Sequence, residues 1–152
     1  VDLSQVIARG VAVLDPTVKD ADEALGALAR AASRELGVPA QVLHDGLRRR
    51  ERLLPTVLPE GIALPHTILP EIPRTLVVPM FVPFGVQMAT GERPSDIIIG
   101  LFGGPGDPNT HIRVLGRLAR IATDLRALER LRSVPSADEL VHVLLQFDAV
   151  HA

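Results

Sequence analysis

With 152 residues, 47% of them hydrophobic and 22% charged, the chain is long enough for one domain with its own core. A net charge of −2 leaves no electrostatic footprint for DNA, RNA or an anionic membrane surface, and four Phe with no Trp or Tyr offer few platforms for stacking bases. The absence of cysteine excludes disulfides, thiolate zinc sites and thiol catalysis.

"VAVLD" (11–15) is short and β-branched, and reads as a strand ended by Pro16. Asp20 and Glu23 then have capping-box spacing, and Leu25, Leu28, Ala29, Ala32 and Leu36 share one helical face. Gly37 and Pro39 stop that helix. A second helix is predicted over 39–53, with Val42, Leu43 and Leu47 inward and "RRRER" crowding its end. "VLPEGIALPH" reads as a turn followed by a short strand. "TLVVPMFVPF" and "DIIIGLF" are two further strands; the second is apolar on both faces, as a covered central strand must be. Pro79 within the first predicts an edge strand or a bulge, because proline donates nothing to a ladder.

Asp107 is a natural N-cap, Pro108 suits the first helical position, and Ile112, Leu115, Leu118, Ala119 and Ala122 are expected to form the buried stripe of the helix they open. A short helix near 125–132 follows, and a last one begins at Ser136 with Leu140, Val143, Leu144 and Phe147 inward. Alternating strands and helices predict an α/β fold in one domain, a sheet covered by helices. No apolar run reaches the ~18–20 residues of a membrane span. No signal-peptide pattern opens the chain. The expectation is therefore a protein that does not insert in a membrane. A start at Val1 rather than Met is expected of a processed product or a piece of a longer chain.

The candidate chemistry lies in the five histidines. His44, His142 and His151 fall in or after helices among ordinary surface residues and read as surface groups. His66 ends the apolar run "GIALPH", where Pro65 biases the backbone before it toward extended geometry and leaves the imidazole at a strand-to-loop junction. Such junctions in α/β sheets collect binding sites. His66 is thus either a buried, satisfied side chain or a reacting group. His111 lies in the first turn of a helix, where the local field disfavours imidazolium and leaves a neutral ring able to donate or accept near pH 7.

"GLFGGPGDPN" (100–109) lacks the Gly-Lys-Ser/Thr ending of a phosphate-binding loop and reads as a turn that uses glycines for positive φ. "RRRERL" (48–53) reads as a solvated helix end, although one arginine there could grip a phosphoryl group bidentately. His66 and His111 bring no third metal ligand at a recognisable spacing, so no metal is expected. The chain has no Gly-x-Ser-x-Gly elbow for a serine hydrolase.

Taken together, Arg50-Glu51, Thr56, Gly61, Ala63, Pro65-His66, then His111 with Leu115, Leu118 and Ala119 behind it, form a pattern that resembles the fructose/mannitol-type enzyme IIA domain of the bacterial phosphoenolpyruvate-dependent sugar phosphotransferase system. The nitrogen-regulatory IIA proteins belong to the same group. The order of elements fits from about residue 4 to 148. The resemblance implies a mixed β-sheet sandwiched between helices (α/β/α), with residues 1–152 as a single IIA-like phosphocarrier domain. It implies that His66 takes a phosphoryl group from a phosphohistidine carrier protein in the cytoplasm. The group then passes to a IIB domain, or the phosphorylated state serves as a signal to a regulated transporter or enzyme. On that reading the chain is a phosphotransferase without cofactor. Arg50 would clamp the phosphate, His111 would bond its oxygens or orient His66, and Thr56 and Thr67 would add hydroxyl donors. Thr67 departs from the family, which usually has Gly or another small residue after the active His. That departure motivates the alternative of a sensor module that keeps the fold without passing phosphate on.

Overall fold

A computed structural model describes residues 1–152. A 3-10 turn at Leu3–Gln5 leads into strand β1 (Val13–Leu14), helices α1 (Ala21–Leu36) and α2 (Ala40–Leu53), and strands β2 (Val57–Leu58), β3 (Ile62–Ala63) and β4 (His66–Ile68). The long strands β5 (Leu76–Val86) and β6 (Ser95–Gly103) follow, then helices α3 (Pro108–Ala122), α4 (Leu125–Leu131) and α5 (Ala137–Val150). The sheet runs β1-β5-β6-β3-β2, with β4 also paired to β6. β5 and β6 are antiparallel, while β1 on β5 and both β3 and β4 on β6 are parallel. Helices α1 and α2 pack together on one face, and α3, α4 and α5 form the other layer. The mixed, helix-covered sheet matches expectation. No helix is long and apolar enough to cross a membrane.

Local chemistry sets the helix ends. The Asp20 carboxylate accepts from the Glu23 N–H at 2.8 Å, and Glu23 reaches back to the Lys19 N–H, also at 2.8 Å. Gly37 ends α1 in the left-handed region at φ 71°, a conformation that spares only glycine the Cβ penalty. Asp107 caps α3 through the Thr110 N–H, with Pro108 behind it, and Ser136 caps α5 through the Glu139 N–H. In β6, Ile97, Ile98 and Ile99 are all fully buried, each worth roughly 1.5–3 kcal/mol of apolar burial. A strand buried on both faces has no polar side to alternate with, which explains the unbroken "DIIIGLF". At the N-terminus, buried Asp148 of α5 accepts from the Leu3 N–H at 3.0 Å and from Arg117 at 2.7 Å, tying the first turn to α3 and α5.

Three sequence expectations need correction. First, Pro79 sits in the interior strand β5, opposite Ile99 of β6, and not at an edge. Val77 N–H donates to Val6, and Phe81 C=O accepts from Asp15, so Pro79 between them turns its nitrogen to the β1 side and costs the β6 ladder nothing. The irregularity in register lies later, between Phe81 and Val86. Second, the inward stripe of α3 is His111, Val114, Leu118, Ile121 and Ala122, whereas Ile112 and Ala119 are exposed. Third, no glycine in 100–106 has positive φ. These glycines make room instead: a Cβ on Gly104 would collide with the Ile72 carbonyl oxygen, and one on Gly100 would lie 3.2 Å from Leu28 of α1.

Candidate active site

β3 and β4 are one extended path along β6, interrupted at Leu64-Pro65. Ala63 pairs with Ile98 and His66 with Leu101, and the Pro65 carbonyl accepts from Leu101 N–H at 2.9 Å, carrying the ladder across the break. The turn feeding this path depends on Gly61, at φ 83°; a Cβ there would lie 2.8 Å from Arg132 Nη2. Arg132 clamps that turn, donating to the Glu60 carbonyl at 2.6 Å and to both Asp96 oxygens at 2.9 and 2.8 Å. Leu64 N–H bonds Thr56 on the β2 side, so the Leu64 carbonyl also points away from β6. There it lies 2.9 Å from His66 Nδ1. Only a protonated Nδ1 can donate to a carbonyl, which fixes the tautomer: Nδ1 carries the hydrogen and Nε2 carries the free lone pair.

His66 lines a groove of about 570 Å³, bordered on one side by α2 and on the other by the start of α3. Gly46, Arg49, Arg50 and Leu53 of α2 share its wall with Thr67 and His111, and no acidic side chain lines it. The His66 and His111 rings lie 5.6 Å apart between centroids, tilted at 57°. His111 is 5% exposed, and burial, reinforced by the charge of His66, holds it down to about 4, well below an ordinary histidine. The field at the helix start, expected from sequence to do this, is not the leading cause. His111 Nδ1 is sealed without a hydrogen-bond partner, leaving Nε2 as the nitrogen available to the groove.

The arginine run splits by function. Arg48 is spent on Asp22, through Nε at 2.6 Å and Nη2 at 2.9 Å, which braces α2 against α1 and holds the Asp22 carboxyl down to about 2. Arg50 lines the groove and lends Nη1 to the Leu54 carbonyl at 2.9 Å, which steadies the guanidinium at the end of α2. Arg49 lines it as well, beside the Arg50 expected from sequence. The signal was available: Gly46, Arg49, Arg50 and Leu53 fall at i, i+3, i+4 and i+7, one helical face. Thr67 lies in the groove wall, buried against Gly46, where a Cβ would sit 2.9 Å from its Oγ1. Thr56 does not reach the groove lining. Its hydroxyl donates to Glu51 Oε1 and its N–H to Oε2 at 3.3 Å, so the Glu…Thr pair braces the exit from α2.

The other histidines lie elsewhere. His142 is exposed, while His44 and His151 are more than surface groups, holding Asp22 at 3.0 Å and Asp124 at 2.7 Å. No group of three or more His, Cys, Asp or Glu stands in metal-binding proximity. The groove brings two arginines together with no acidic side chain, a lining that suits an anion. Two arginines, a neutral buried histidine and a nucleophilic imidazole nitrogen around a space of this size can bind a phosphoryl group and form a bond to it.

Comparison with known proteins identifies the family of the chain. The family model for the phosphoenolpyruvate-dependent sugar phosphotransferase system, EIIA 2, matches residues 5–147. The nitrogen regulatory protein of Escherichia coli (strain K12) is 30% identical over 125 residues, covering 80% of this chain and 76% of that protein. The crystal structure of the nitrogen regulatory protein IIA-Ntr from Neisseria meningitidis superposes with TM-score 0.84 at 23% identity, covering 92% of this chain and 97% of that one, and supports the fold. Mannitol enzyme IIA of Escherichia coli, solved in complex with phosphorylated mannitol enzyme IIB, superposes with TM-score 0.75 at 26% identity, covering 91% of this chain and 98% of that one. The chain belongs to the EIIA 2 family of the phosphoenolpyruvate-dependent sugar phosphotransferase system.

Proposed function

We propose that the protein is a phosphocarrier that accepts a phosphoryl group on His66 Nε2 from a phosphohistidine carrier protein in the cytoplasm. The observation that carries this reading is the His66 tautomer inside an acid-free groove: Nδ1–H is held by the Leu64 carbonyl, and the Nε2 lone pair remains free. In the transfer step that lone pair bonds to phosphorus in line with the donor's P–N bond. As the donor bond breaks, its electron pair returns to the donor imidazole. No proton need leave His66. The phosphorylated ring gains positive character on Nδ1–H, and the Leu64 carbonyl accepts that stronger hydrogen bond.

Little covalent machinery is needed beyond placement and charge neutralisation. Arg49 and Arg50 supply cationic donors for the phosphoryl oxygens, and His111 Nε2–H supplies a neutral one. Thr67 supports the groove wall, and Thr56 acts at a distance through Glu51. Exposed Leu53, Leu54, Ile68 and Ile112 offer an apolar rim on which a donor or acceptor protein can exclude water from the reaction.

The acceptor is a IIB domain, or the phosphorylated state is itself the signal. Similarity to proteins named as nitrogen regulatory favours the signalling use. The test is incubation with phosphoenolpyruvate, enzyme I and the carrier protein. The wild-type chain is expected to gain acid-labile phosphate that His66→Ala lacks, and equal labelling of the two refutes the assignment. Adding a purified IIB domain then separates the uses: loss of label to IIB marks a transport carrier, and retention marks a signal.

A further inference from the structure

We infer that Gly103 is a positioning residue for this site: by having no side chain it seats the His111 ring so that Nδ1 is sealed against the end of β6 and the ring proton is carried on Nε2, facing the groove. A Cβ built on Gly103 would lie 2.6 Å from His111 Nδ1 and 3.5 Å from Cε1 and Cγ. Real contacts to a Cβ do not come so close, and the atom in the way belongs to a buried ring, not to the free end of a flexible chain. Gly103 cannot yield, because it is held in β6: it stands opposite Ile68 of β4, and its carbonyl accepts from Leu69 N–H at 3.0 Å. Its neighbour Gly104 is pinned separately, under the Ile72 carbonyl. The ring is thus set by the strand beneath it.

The seat also decides the tautomer. His111 Nδ1 is buried with no hydrogen-bond partner. An orphaned N–H in that position is costlier and rarer than an orphaned acceptor, so the hydrogen resides on Nε2. The two histidines of the groove therefore hold opposite tautomers. His66 presents a lone pair at Nε2, and His111 presents a donor, which is the pairing that one incoming phosphoryl group requires. A methyl at position 103 would push the ring toward the groove, misaim the donor and crowd the phosphoryl space.

The effect on rate rests on the phosphocarrier reading; the tautomer does not, and the experiment separates the two. Long-range ¹H–¹⁵N spectra of histidine-labelled wild-type protein near pH 7.5 are expected to show His66 protonated on Nδ1 and His111 on Nε2. A hydrogen on His111 Nδ1 overturns the inference, whether or not the chain is ever phosphorylated and whether or not any variant folds. Gly103→Ala is expected to alter the His111 ring signals and to slow phosphoryl acceptance about 10- to 100-fold, the usual cost of a misplaced group. The double variant Gly103→Ala/His111→Ala is expected to be no slower than His111→Ala alone, because Gly103 acts through that ring. Additive losses, a slowed Gly103→Ala with unchanged His111 signals, or a wild-type rate in Gly103→Ala each overturn the positioning role. Failure of the wild-type chain to accept phosphate, with the tautomers as stated, refutes the phosphocarrier reading and leaves the seat intact.

Discussion

Between pH 6.5 and 4, acidification should destabilise this fold through His111, before the depressed carboxyls such as Asp22 take up protons. His111 is 5% exposed and sits in its buried place as a neutral ring, with an acidity of about 4 in place of the ordinary 6.5. Above pH 6.5 neither the folded nor the unfolded chain protonates it, and the full stability is present. As pH falls from there toward 4, the unfolded chain takes up a proton that the folded chain refuses, so unfolding is favoured. A depression from 6.5 to about 4, at about 1.4 kcal/mol per unit, amounts to roughly 3 kcal/mol lost across that window. The assay is urea denaturation at a series of pH values for wild type and His111→Asn. The carboxylates titrate in both proteins and cancel in the difference. The variant is expected to be the less stable at pH 7.5 and to gain on the wild type by up to about 3 kcal/mol by pH 4. A stability difference that stays constant across this range refutes the claim that His111 is held neutral by burial.

Other outcomes follow from the same geometry. Gly46→Ala should cost about 1–3 kcal/mol despite the better helix former, because the new Cβ would sit 2.7 Å from Leu69 Cδ1 and 2.9 Å from Thr67 Oγ1; thermal denaturation measures it. Arg132→Met should cost about 2–3 kcal/mol by stranding Asp96 and the Glu60 carbonyl, and should increase amide exchange in the turn before β3. Arg49→Ala and Arg50→Ala should each slow phosphoryl acceptance about 10-fold or more through loss of a charge-assisted contact, while Arg48→Ala, its partner Asp22 lying outside the groove, should leave the rate nearly unchanged; labelling time courses compare the three.

The elements that were legible in the sequence are those set by local chemistry. Asp20, Gly37, Asp107 with Pro108, and Ser136 mark helix ends because caps act within a few residues, and "DIIIGLF" announced a central strand through its lack of any polar face. Where the structure departed from the reading, contacts distant in sequence decided. Counting only apolar residues turned the stripe of α3 toward Ile112 and Ala119, because the first inward position is taken by a histidine, His111, and the true series begins there. Pro79 misled because edge and interior differ only in which way its nitrogen faces, and that depends on where β1 docks. The glycines of "GLFGGPG" were read as conformational devices, although Gly100, Gly103 and Gly104 serve the close approach of Leu28, His111 and Ile72. Of the candidate residues, His66, His111, Arg50 and Thr67 line one groove, Thr56 bonds Glu51 instead, and Arg49, which the motif did not include, lines the groove as well.

The central claim is that His66 reacts through Nε2 while Leu64 holds Nδ1–H. The most direct measurement is ³¹P and ¹⁵N NMR of the histidine-labelled chain after phosphorylation by phosphoenolpyruvate, enzyme I and the carrier protein. One phosphorylated residue is expected, His66, with phosphorus coupled to Nε2 and the hydrogen retained on Nδ1. Phosphorus on Nδ1, or on any other histidine, contradicts it.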